Sequence, residues 1–147
     1  MYHLPQRSRT ITYKAISEGT GTPVGCVVCK IDDIESSEDE VPSCHLISEE
    51  MPGVGSSMGK TTIQRVGYLG MLAVDKNYRG AGIGKSLSIR ALERMRRSGC
   101  SSVVLETEAC NDVAIRLYER LGFIREERLA KYYLNWGDAY RLRLWFS

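Results

Sequence analysis

The run YRGAGIGKSL, residues 78–87, sets three glycines in five positions directly ahead of an amphipathic stretch. It constrains the chain more than any other segment, because glycine lets the backbone turn where a side chain would forbid it and the following helix offers its positive end at the turn. The helix is legible by itself. Ile83, Leu87, Ala91, Leu92 and Met95 fall on one face, Arg94, Arg96 and Arg97 occupy the last turns and Gly99 supplies the stop, which predicts a helix from Lys85 onward. Ahead of the turn, residues 66–74 (VGYLGMLAV) read as a strand broken by Gly67 and Gly70, where a bulge or the close approach of a ligand is expected. Strand, glycine turn and helix in that order form a cradle in which main-chain N–H groups converge on a phosphate.

Two well-known phosphate loops fail by register. The first glycine of a P-loop ending in Gly84-Lys85-Ser86 would fall on Arg79, and a dinucleotide fingerprint begun at Gly80 or Gly82 would end on Lys85 or Leu87. What fits is an R-x-x-G-x-G pattern, taken as Arg79, Gly80, Ala81, Gly82, Ile83 and Gly84.

The remaining chain predicts one domain. Its 147 residues are 43% hydrophobic and 26% charged, enough for a core. A net charge of +2 with dispersed basic residues argues against a nucleic-acid surface. No apolar run approaches the roughly 18 residues of a membrane span, and the first residues lack the apolar stretch of a signal peptide, so a cytoplasmic protein with no membrane partner is expected. Cys26-x-x-Cys29 with Cys44-His45 raises a zinc site, but the second pair is adjacent and the first lies in a β-branched run where neighbours point to opposite faces. Buried strand cysteines and no metal are expected instead.

Residues 10–17 and 24–31 read as a hairpin around a turn at 18–23. Residues 35–65 read as an acidic flexible insertion, with six carboxylates and no Lys or Arg over 35–50. A strand follows at 102–108; Asn111 or Asp112 caps a second helix whose Ala114, Leu117, Tyr118 and Leu121 share a face, and Gly122 ends it. A last hairpin is predicted from strands 128–134 and 139–146 about a turn at 135–138. The order β-β-β-α-β-α-β-β describes an α/β (α+β-like) mixed sheet with two helices.

The glycine turn resembles the acetyl-CoA loop of the GNAT acetyltransferases. With the segments YLGMLAVDKNYRGAGIGKSL, VVLETEACN, AIRLYERLGF and RLAKYYLNWGDAYRLRLW, the likeness extends over about 23–145 and is close to the catalytic subunit of NatC-type protein N-terminal acetyltransferases. The resemblance implies acetyl-CoA as cosubstrate. Leu72, Ala73 and Val74 would run beside its pantetheine arm, residues 79–85 (Arg79, Gly80, Ala81, Gly82, Ile83, Gly84, Lys85) with Ser86 would hold the pyrophosphate, and Asn111 would reach the arm. It further implies Glu106 as general base, through water, and Tyr118 as the acid for the departing sulfur, with Tyr132 and Tyr133 binding the main chain of a nascent-protein N-terminus that begins Met-Leu, Met-Ile or Met-Phe. NatC-type auxiliary subunits and the ribosome are the implied partners.

The residues themselves permit this chemistry. An α-amine with a pKa near 7.7–8.0 is partly protonated at neutral pH, which gives a base work to do. On the strand VVLETE, Glu106 shares its face with Val104 and Glu108, and Glu108 is the second candidate for the base. A bulged strand over 72–74 would offer main-chain N–H groups to a carbonyl oxygen. Read without the resemblance, Glu106 is a partner for a nearby arginine and Tyr118 a core aromatic. Cys110 is expected to be a loop thiol and not a nucleophile. Strand alternation leaves at most one of Tyr132 and Tyr133 for the core. Against the family pattern the chain is expected to be N-terminally shortened, since only residues 1–9 precede the first hairpin. The rival expectations are a GNAT enzyme acting on lysine or small amines, and a non-catalytic CoA-binding or subunit module.

Overall fold

The computed structural model describes residues 8–36, 61–132, 134 and 137–147. The first hairpin forms as its turn residues require: β1 (Arg9–Ile16) runs antiparallel to β2 (Pro23–Ser36), with Gly21 at φ +68 between them. β3 (Thr62–Val74) returns along β2 from Ser36↔Thr62 to Gly25↔Val74. Both strands outrun the expectation at that end. Glu35, Ser36 and residues 62–65, predicted within the insertion, stand in the ladder, because a partner distant in sequence satisfies main-chain groups whatever the local composition. Residues 37–60, with Cys44 and His45, lie outside the described part.

A short 3-10 turn (Lys76–Tyr78), capped by Asp75, leads to α1 (Ile83–Arg97), which begins two residues before the predicted start. β4 (Ser102–Glu108), α2 (Asp112–Arg120), β5 (Ile124–Leu129) and β6 (Ala139–Trp145) complete a six-stranded sheet of order β1-β2-β3-β4-β6-β5. Among the described strands only the β3–β4 pair is parallel, as a helix-bearing connection demands. The eight-element order is the expected one, and the fold is the mixed α/β sheet with two helices read from the sequence.

The last hairpin differs from the expectation. Gly122, at φ +103, reverses the chain as soon as α2 ends, so β5 starts at Ile124, four residues before the predicted strand. It also ends sooner, because Asp138 accepts both the Arg128 guanidinium at 2.8 Å and the Lys131 main-chain N–H at 3.0 Å. Tyr132 consequently lies beyond the strand, where side chains no longer alternate between faces.

One core joins the elements. The predicted face of α1 is buried at Leu87, Ala91, Leu92 and Met95, against Val27, Cys29, Leu69, Val103, Leu105 and Leu142. Of the two glycines in β3, Gly67 is a packing site: a β-carbon there would collide with Met95 Sδ. Gly70 is the bulge, the unpaired residue between Cys29↔Leu69 and Val28↔Met71. Arg65 locks the base of the sheet, donating to Asp33 at 2.6 Å and to the Ser98 carbonyl at the end of α1 at 2.7 Å.

Cys26 and Cys29 are free thiols on β2; burial, with Cys26 adding to it, pushes the Cys29 thiol up to about 11, unlike the thiolate a metal needs. Among the described residues no group of His, Cys, Asp and Glu is set to hold a metal ion, and no helix is long and apolar enough to cross a membrane.

Candidate active site

β3 and β4 hold together over three residues only, with Val66, Gly67 and Tyr68 against Ser102, Val103 and Val104. Past that point β3 stays paired with β2 on its other side, and the Gly70 bulge sits just where the seam with β4 opens. A cleft of about 330 Å³ fills the seam. Leu69 to Leu72 line one side, Leu105 to Glu108 the other, and Asn111, Ala114, Leu117 and Tyr118 the α2 side. The parting of two parallel strands leaves the cleft-facing edge of β3 without a ladder partner among the described residues, and such main-chain groups seek a ligand. Leu72, Ala73 and Val74 lie along this edge and are paired with β2 opposite Val27, Cys26 and Gly25. The bulge predicted over them falls instead at Gly70.

At the head of the cleft the glycine turn has the conformation its sequence predicts. Gly80 and Gly82 take φ +83 and +81, in the left-handed region, and open space lies where their β-carbons would be. Gly82 is the N-cap of α1 and offers no side-chain cap, and the first turn carries no acidic residue. The turn is pinned from below by Arg79 Nε, which donates to the Val74 carbonyl at 3.1 Å. Lys85 and Ser86 are exposed beside it. Uncapped amides at a positive helix end, an adjacent ammonium and a first turn free of carboxylates fit a diphosphate.

The chemistry-bearing side chains meet lower in the cleft. Glu106 leaves only 9% of its side chain exposed. One carboxylate oxygen accepts the Tyr68 hydroxyl, and the other accepts Arg141 Nε at 3.3 Å. The arginine partner anticipated as a rival reading is therefore real, yet the carboxylate still lines the cleft. Tyr118 meets both of its readings as well. It is buried, packs edge to face on Phe123 with ring centroids 5.6 Å apart, and lines the same cleft. Among the described residues its hydroxyl has no hydrogen-bond partner. Burial, with Cys29 adding a smaller part, pushes that phenol up to about 12.

Asn111 is used locally: its Oδ1 accepts the Ala114 N–H at 3.2 Å as the cap of α2, and it also borders the cleft. Glu108 lines the cleft and a neighbouring cavity of about 480 Å³ that reaches Arg128, Asp138 and Tyr140. Cys110 is exposed near Glu108. Tyr132 is half-exposed in the β5–β6 connection and does not line the cleft, and Tyr133 lies outside the described residues. Sequence reasoning missed Tyr68 and Arg141. The first was legible only as a strand aromatic, and the second stood as one arginine among many until β6 was laid beside β4.

Comparison with known proteins bears directly on this arrangement. Residues 2–123 match the acetyltransferase (GNAT) family. The chain is similar to N-alpha-acetyltransferase 30 of Saccharomyces cerevisiae, 39% identical over 91% of this chain and 63% of the relative. It is also similar to N-alpha-acetyltransferase 30 of Homo sapiens, 43% identical over 83% of this chain and 26% of the relative. It thus spans less than two thirds of either relative's length. Among solved structures, the NatC complex bound to Gag peptide and CoA superposes with a TM-score of 0.68 at 37% identity, covering 92% of this chain and 71% of that one.

Proposed function

From the premise that the chain belongs to the acetyltransferase (GNAT) family, we propose that it is an N-terminal acetyltransferase of the NatC type, which moves an acetyl group from acetyl-CoA to the α-amine of a protein N-terminus. The observation that carries this reading is the Glu106 carboxylate, nearly buried yet lining the open seam between β3 and β4 together with Tyr118. The identity to N-alpha-acetyltransferases supports an α-amine as acceptor over a lysine or a small amine.

Bound in the cleft, acetyl-CoA would supply the acetyl group as a thioester. The residues that would hold it are those at the glycine turn, with Arg79, Lys85 and Ser86 at the diphosphate, the free edge of β3 at Leu72, Ala73 and Val74 beside the arm, and Asn111 from the α2 side. Glu106 takes a proton from the incoming ammonium through water, leaving the neutral amine to attack. Main-chain N–H groups on the free edge of β3 receive the negative charge that grows on the carbonyl oxygen. Tyr118 holds its proton across the working pH range. Transfer from a phenol at about 12 to a thiolate of ordinary pKa near 8.5 runs uphill, so its hydroxyl acts as a hydrogen-bond donor to the sulfur as charge develops. As the C–S bond breaks, the second proton of the attacking nitrogen passes through water to the thiolate. Tyr132 and Tyr133 are proposed to bind the main chain of the incoming terminus, with Met-Leu, Met-Ile and Met-Phe starts preferred. The likeness to the NatC complex extends the proposal to auxiliary subunits of that type, with delivery at the ribosome.

The test is release of free CoA from acetyl-CoA with peptides beginning Met-Leu, Met-Lys and Ser-Glu, on this chain and on Glu106→Gln. Turnover fastest on Met-Leu is expected, with a loss of about 100-fold or more in the variant and little change in acetyl-CoA binding. Binding of acetyl-CoA with no turnover on any peptide would overturn the proposal in favour of a CoA-binding module.

A further inference from the structure

Glu106, Arg141 and Glu127 stand directly across three neighbouring strands: Glu106 pairs with Arg141 in the β4–β6 ladder, and Arg141 with Glu127 in the β5–β6 ladder. The second pairing depends on an irregularity. The β5 register shifts between Arg125 and Glu127, so Glu127 meets Arg141, while Glu126, the residue skipped, holds Arg143 Nε at 3.0 Å. The bulge gives each of two arginines its own carboxylate.

The bonds within the row are unequal. Arg141 Nη1 donates to Glu127 at 3.0 Å, whereas only Nε reaches Glu106, at 3.3 Å. A guanidinium free of other partners closes on a carboxylate with two parallel bonds, which would occupy both oxygens and hold the carboxylate tightly. Here Glu127, itself 55% exposed, engages one arm of the fork. Glu106 keeps a single long bond to the cation, and the Tyr68 hydroxyl orients its other oxygen. A carboxylate this buried needs a counter-charge to remain in place, and one that must accept a proton needs an uncommitted lone pair.

We propose that Arg141, restrained by Glu127, is a positioning residue that holds Glu106 in its proton-accepting pose from the side away from the cleft. Arg141 lines neither cavity, so it reaches the cleft only through Glu106. The inference rests on the reading of Glu106 as the base. It adds that the orientation of that base is set by a charge row built on the β5–β6 hairpin.

The experiment is steady-state kinetics with the Met-Leu peptide on the full chain and on Arg141→Gln, Arg141→Lys and Glu106→Gln, and on Arg141→Gln combined with Glu106→Gln, with acetyl-CoA affinity measured by calorimetry. Arg141→Gln is expected to lower kcat about 10- to 100-fold, the scale of general-base catalysis, with acetyl-CoA affinity and peptide KM unchanged. Arg141→Lys keeps the charge without the fork and is expected to recover most of that loss, remaining a few-fold below the parent. In the double variant, Arg141→Gln adds nothing to Glu106→Gln. An undiminished kcat in Arg141→Gln overturns the proposal, as does a loss that appears equally in acetyl-CoA affinity or persists in the Glu106→Gln background. Should Arg141→Gln fail to fold, Arg141→Lys decides alone, with a kcat equal to the parent's overturning it. Full turnover in Glu106→Gln would instead remove the base reading on which the proposal rests.

Discussion

The two walls of the cleft are built from different materials. The β3 wall, from Leu69 through Val74 and on into the glycine turn, offers a main-chain edge, apolar side chains and uncapped helix amides. The β4 wall offers Glu106, Thr107 and Glu108, faced by Tyr118 from α2. A wall made of backbone binds whatever presents amide and phosphate groups, and it tolerates side-chain exchange so long as its path is kept. A wall made of ionisable side chains depends on which atoms those side chains carry and what surrounds them. On the proposed function, binding falls to one side of the seam and proton handling to the other.

That division is broken most easily at the turn. Gly82→Val forces a branched side chain into φ +81, a conformation costing about 1–2 kcal/mol for an L-residue, and it distorts the amides at the start of α1. Acetyl-CoA affinity is expected to fall about 10-fold or more, with kcat at saturating acetyl-CoA much less affected. A loss confined to kcat would show that the walls are not separable.

Tyr118→Phe tests the opposite wall with a smaller effect. Removing one hydrogen-bond donor from the departing sulfur is expected to lower kcat about 10-fold, less than the loss of a full oxyanion-hole donor, with acetyl-CoA affinity retained. A collapse comparable with that of Glu106→Gln would mean that the phenol transfers its proton outright.

The smallest effect concerns stability. Burial raises Cys29 from 9.0 to about 11 and Tyr118 from 10.0 to about 12, so the folded chain holds these protons more firmly than the unfolded one. Their contribution is complete below about pH 9 and is lost as pH rises through 9–11 for the thiol and 10–12 for the phenol. Urea midpoints measured at pH 8, 9.5 and 11 are expected to fall over that range, and less steeply in Cys29→Ala than in the parent. Equal slopes would show that Cys29 is solvated in the folded state.

Legibility in the sequence follows the same division. The glycine turn, the apolar face of α1, the Asn111 cap and the stops at Gly99 and Gly122 are all set by residues within a few positions of one another, and each stands where its chemistry placed it. The strand ends were harder. β2 and β3 extend into residues that read as insertion, and β5 ends before Tyr132, because a strand stops where its partner stops.

Glu106 shows the limit most clearly. Alternation along SVVLETE put Glu106 and Glu108 on one face and the family resemblance singled out Glu106, but nothing local could show that Arg141 and Tyr68, each more than thirty residues away, hold its two oxygens. The sequence by itself determined the element order, the phosphate-type turn and the identity of the ionisable groups, since these follow from local conformational preference and side-chain chemistry. Only the tertiary structure decided that β3 and β4 part after three paired residues, that Gly70 is the bulge beside the opening, and that the carboxylate is tethered from one side and open on the other. Those outcomes depend on pairing between distant strands, where the free energy lies in contacts that no short stretch of chain contains.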